Sequence, residues 1–145
     1  MADKVVNIKV KIDGEREYKA ALSSIATAQK ELSSELKLLS AQFADNADGV
    51  EALSAQNDVL TKKVGAQQEK VDTFRKALAD AQEVQKQANE TFAEAAKTLD
   101  SSSAEYKQMA EQVQKTVDQT ARWSTSLNNA EADLYKMKAE LHDNE

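Results

Sequence analysis

Residues 5–12 alternate apolar and polar, with Val6, Ile8, Val10 and Ile12 on one face and Asn7, Lys9 and Lys11 on the other. A period of two predicts a half-buried strand whose interface is those four apolar residues. One strand cannot pair with itself, so its edge must meet another copy, another protein or a strand missing from this chain. Self-association or docking against the chain's own helices is slightly favoured over an absent partner. Asp13 and Gly14 then punctuate the chain, and Glu15 and Glu17 stand in the first turn of a helix, where the dipole favours acids.

From Tyr18 the spacing changes to alternating threes and fours. The first run places Leu22, Ile25, Leu32, Leu36, Leu39 and Phe43 on one stripe, with Gln29 the polar member. A second run opens at Val50 and carries Leu53, Asn57, Leu60, Val64, Gln67, Val71, Phe74, Leu78 and Gln85. A third carries Tyr106, Met109, Val113, Trp123, Leu127, Leu134, Met137 and Leu141. Repeats sustained over this length predict coiled coil, and the polar seam residues Gln29, Asn57, Gln67 and Gln85 are candidates for fixing register.

Two segments interrupt the repeats. Asp45 to Gly49 is turn-like, with Asp48 and Glu51 spaced as a capping box, and Ser102 with Glu105 repeats that spacing after Asp100 and Ser101. The predicted fold is all-α: a coiled coil or elongated bundle of three helices with one short N-terminal β-strand. Its parts are a strand and turn over 1–14, helices over 15–44, 50–99 and 104–142, and hinges at 45–49 and 100–103, all in one elongated domain. The seven-residue steps from Phe43 to Val50 and from Leu99 to Tyr106 keep heptad phase across both breaks, a hint that they are hinges, open in one state and helical in another, which leaves turn and hinge both open. Lys63, Lys70 and Arg75 flank the second seam without acidic counterparts, which favours a hairpin or multi-stranded bundle over a parallel two-stranded coil.

Composition narrows the function. The chain has no proline, no cysteine and three glycines, as long helices require. Its net charge of −6 disfavours attraction to phosphate backbones, so nucleic acid is not an expected partner. The N-terminal stretch is too charged for a secretory signal, and no window has the apolar length of a membrane span. His142 is the only histidine, and no nucleophile–base set, phosphate-cradling glycine loop or metal-ligand spacing is present, so neither catalysis nor a cofactor is expected. Trp123 falls on the seam as a core knob, and Tyr135 lies off it.

The stretch Ile8-Lys9-Val10-Lys11-Ile12-Asp13-Gly14, followed by Tyr18-Lys19-Ala20-Ala21-Leu22, resembles the start of tape measure proteins of long, non-contractile-tailed phages. Phe43-Ala44-Asp45-Asn46, Val50-Glu51-Ala52-Leu53 and Val59 to Val64 are similar to the same region, as are Glu105-Tyr106-Lys107 and Leu127 to Glu131. The likeness covers most of the chain, and the strand and first break are its specific parts. Tape measure proteins are much longer and carry apolar segments further on, so the resemblance implies an N-terminal portion, to which the family's membrane insertion and lytic activity do not transfer. It implies a structural role: several copies of a helical protein fill the tail tube and set its length. Tail-tube subunits and tail assembly chaperones would be partners, the bacterial host cytoplasm the place of assembly, and the inside of the tail tube the final location. From the residues alone, a helical-hairpin adaptor or secreted effector acting as a protein-binding module is the alternative, and a membrane-active amphipathic protein a weaker one, because cationic faces rich in Trp or Leu are lacking.

Overall fold

The structure, a computed structural model, describes residues 7–144. It is all-α: helix makes up 86% of those residues. α1 spans Glu15–Gln42, α2 Val50–Ala96 and α3 Ala104–Asn144, with one 3-10 turn, Ala44–Asn46, between the first two. Each helix opens with an acid in its first turn (Glu15 in α1, Glu51 in α2, Glu105 in α3), where the exposed N–H groups carry partial positive charge.

No β-strand forms among the described residues, which corrects the expectation for the N-terminus. Val6 lies outside the described residues. The alternation beyond it still governs burial: Ile8 and Ile12 are 5% and 4% exposed, Val10 is half-buried, and Lys9 and Lys11 face solvent. The apolar face packs on helices instead of a strand. Helices offer no backbone ladder because their amides are spent internally, so no β-pairing follows.

Both breaks are turns in which the chain reverses. After α1, Phe43 N–H donates to the Leu39 carbonyl, Asn46 N–H to Phe43 and Gly49 N–H to Asn46, at 3.0–3.1 Å. Gly49 then precedes Val50 at the start of α2, one residue later than the Asp48 cap that the spacing suggests. A Cβ on Gly49 would collide with the Asn46 side-chain amide, so the turn is drawn around that amide. At the second break the Asp100 carboxylate accepts the Ser102 N–H at 3.1 Å, and the Ser103 hydroxyl accepts the Tyr106 N–H at 3.2 Å. The cap of α3 is therefore Ser103, not Ser102, because Asp100 already holds Ser102.

The chain divides into two compact units. In one, residues 16–74 and 127 onward bring together α1, the first part of α2 and the last part of α3. A side-chain contact between Gln29 and Gln67 joins α1 to α2 there; a continuous helix would hold those 38 residues about 57 Å apart, so the two run antiparallel. Ile25, Ala52, Val59, Leu60, Val71, Phe74, Ala130 and Leu134 are buried in this unit.

In the other, residues 7–15 pack with 75–126, the rest of α2 and the first part of α3. Phe92 meets Tyr106 with ring centroids 5.0 Å apart, and Ala81, earlier on α2, meets Thr120, later on α3, so this pair is antiparallel too. Ala77, Ala81, Val84, Ala88, Met109 and Thr116 are buried in it.

Candidate functional site

Two polar features lie inside otherwise apolar packing, one in each unit. Each is built from glutamine, whose long amide reaches a neighbouring element while its stem stays in the seam.

The first centres on Gln67, midway along α2 and 1% exposed. Its Oε1 accepts a hydrogen bond from Gln29 Nε2 of α1 at 2.6 Å, and its Nε2 donates to the Ala130 carbonyl of α3 at 2.8 Å. One amide thus ties three helices at one level. Such a group returns little net stability, but any slide of one helix along another leaves it buried and unsatisfied, so it penalises wrong registers. The other polar seam residues differ. Asn57 Oδ1 is buried without a partner, and Gln85 is half-buried in an open cavity of about 400 Å³ that Gln82, Lys86, Asn89 and Glu90 also line.

The second feature holds the N-terminal segment. Ile8 N–H donates to Gln112 Oε1 at 3.3 Å, and Gln119 Nε2 donates to the Val10 carbonyl at 2.9 Å. Gln112 and Gln119 are one heptad apart on α3, so both amides leave the same helix face. Residues 8 and 10 span at most about 7 Å, so the segment runs extended along the helix to reach both. In an extended chain the N–H of residue i and the C=O of residue i+2 point to the same side, which is why one row of amides serves both. Ile8 packs with Ala88 and Met109, against which Phe92, Ala95, Leu99 and Val113 also lie. A cavity of about 290 Å³ opens beside the segment, lined by Val10, Lys11, Glu15, Lys115, Asp118, Gln119 and Arg122.

Of the expected seam, Ile25, Leu60, Val71, Phe74, Met109 and Leu134 are buried. Leu22, Leu32, Leu36, Leu39, Phe43, Leu53, Val64, Leu78, Val113, Trp123, Leu127, Met137 and Leu141 are half-buried. Val50, at the head of the second run, is 85% exposed, whereas Ala52 in the same turn is fully buried. Leu38 and Tyr135 are exposed at 58% and 72%.

Sequence reasoning missed Ala52, Val59, Ala77 and Val84, which are buried beside the seam of α2. Their signal is a second stripe in steps of seven, Ala52, Val59, Ala66 and then Ala77, Val84, Thr91, showing that α2 is covered on two adjoining sides. It also missed Gln112 and Gln119, whose only signal is their heptad spacing.

The titration of Asp100 is perturbed. The Asp100 carboxyl lies below its ordinary value because the Ser102 backbone N–H, and then the Ser102 side chain, hydrogen-bond its charged form. Among the described residues no group of His, Cys, Asp and Glu is placed to hold a metal ion, and no helix is long and apolar enough to cross a membrane. Comparison with protein families, with curated proteins and with solved structures finds no match.

Proposed function

We infer that the chain is a non-enzymatic structural protein whose helices act as coiled-coil spacers, in the manner of the N-terminal part of the tape measure proteins it resembles. The observation that carries this reading is the Gln29–Gln67–Ala130 layer. A buried amide costs desolvation and returns register specificity, and a spacer whose length must be reproducible requires register. The long helices suit the same role: the 47 residues of α2 advance about 70 Å. On this reading several copies associate, tail-tube subunits and tail assembly chaperones are the partners, and the chain acts in the host cytoplasm during assembly and inside the tail tube afterwards.

Co-expression with tail-tube subunits and chaperones encoded beside it tests the proposal. A co-purifying complex whose yield falls in the Leu60→Asp chain is expected; no complex, with helicity intact, ends the reading.

A second reading, a helical-hairpin adaptor, draws support from the antiparallel pairing of α2 with α3 and from the exposed Leu38 and Tyr135. Isothermal titration separates the two. An adaptor binds an amphipathic partner helix as a single copy, with loss of affinity on Tyr135→Ala, whereas a spacer associates with itself.

A further inference from the structure

The groove on α2 and α3 recognises residues 8–12 through features that any copy of the chain supplies. Two of them are backbone groups, the Ile8 N–H on Gln112 and the Val10 carbonyl on Gln119, and the third is the buried Ile8 side chain, packed with Ala88 and Met109. Nothing in these contacts requires the segment to belong to the chain whose helices hold it. Its joint to α1 is short and built to turn: Gly14 has φ of 81°, in the left-handed region that glycine enters without strain, so the direction in which the segment leaves α1 rests on one permissive residue.

We propose that this groove is an intermolecular docking site for residues 8–12 of a second copy, the segment being exchanged between chains. Exchange makes the same hydrogen bonds and the same apolar contacts in both arrangements, so protein concentration decides between them. Each chain carries one segment and one groove. Exchange between two chains closes a dimer, and head-to-tail donation adds copies without limit. The occupant is a second copy rather than a foreign strand, because the groove is already complementary to this segment's own pattern. The proposal rests on reading the chain as self-associating and supplies the contact by which it does so.

The natural absence of cysteine allows a direct test. Lys11 and Lys115 line the same cavity and are both exposed, so Lys11→Cys and Lys115→Cys leave the core untouched. The two full-length variants, each shown by circular dichroism to keep its helicity, are mixed at rising concentration and treated with a short bis-maleimide. Exchange yields a covalent heterodimer at least about fivefold above that from Lys11→Cys mixed with Lys62→Cys, a lysine exposed on α2, and the yield rises with concentration. Adding Ile8→Asp to the Lys11→Cys chain abolishes it. A heterodimer at background level, or one that survives Ile8→Asp, overturns the proposal. Solution mass measured on the same samples separates the two levels: oligomers without the specific cross-link remove the exchange and leave self-association standing, while a monomer at every concentration removes both.

Discussion

Replacing Gln67 with leucine and, separately, with alanine separates the two things a buried amide does. Leucine removes the bond from Gln29 at 2.6 Å and the bond to the Ala130 carbonyl at 2.8 Å. At a net ~0.5–1.5 kcal/mol each, that loss is about 1–3 kcal/mol. Neither former partner is stranded. The Ala130 carbonyl lies within α3 and keeps its helical partner, and Gln29 is half-buried and reaches water. Against the loss, an apolar side chain now fills a site that is 1% exposed, which returns about 1.5–3 kcal/mol. Gln67→Leu therefore stays within about 1 kcal/mol of the parent in urea unfolding followed by circular dichroism. Gln67→Ala loses the same bonds and leaves a cavity, at a cost of roughly 2–5 kcal/mol by comparison with truncation of a buried methionine. The leucine chain has nothing to penalise a slipped helix, so its amide NMR spectrum shows extra resonances for residues around 29, 67 and 130. A leucine variant as unstable as the alanine variant, with a single set of resonances, refutes the idea that this amide contributes register rather than stability.

Three further outcomes follow from burial, space and charge. Leu60→Asp, at a buried position, costs several kcal/mol and more than Leu36→Asp at a half-buried one, while Lys62→Ala and Glu69→Ala, both exposed, change the thermal midpoint little; equal midpoints would show the assigned packing face to be wrong. Gly65 lies inside α2 with nothing within 4 Å of an added Cβ, so Gly65→Ala stabilises by about 0.5–1 kcal/mol in the same urea assay. The Asp100 carboxyl is depressed in the folded chain, so its charge stabilises the α2–α3 turn above the ordinary value of 3.8, and that contribution disappears as pH falls through the lower folded value. A carboxyl NMR titration of Asp100 with its midpoint at or above 3.8 contradicts this.

How much of this could be read from the sequence depended on whether a residue's own pattern or its neighbour's identity decided the outcome. Ile25, Leu60 and Val71 are buried where the three-and-four spacing places them, because that spacing alone sets which helix face is apolar. Val50 continues the same phase yet is exposed while Ala52 two residues on is buried, since phase carries no information about which positions of a turn a neighbouring element covers. Ile8 and Ile12 reveal an apolar face but not what covers it; a strand and a helix pair both bury alternate residues, and only the fold shows that glutamine amides replace a ladder. Gln67, Gln112 and Gln119 have the same chemistry as the many solvated glutamines here, so their roles emerge only when a facing carbonyl or amide is placed within reach. The second stripe on α2 was present in the spacing, but alanine is common in every helix face and draws little notice.

The most direct measurement is tail length by electron microscopy in particles assembled with a lengthened chain. Six additional heptads added to each of α1, α2 and α3 beside the Gln29–Gln67–Ala130 layer keep the phase of every seam and the antiparallel pairing while adding length. A spacer that sets length lengthens the tail by roughly 60 Å, at 1.5 Å per residue. Normal assembly with tails of unchanged length would contradict the proposed role.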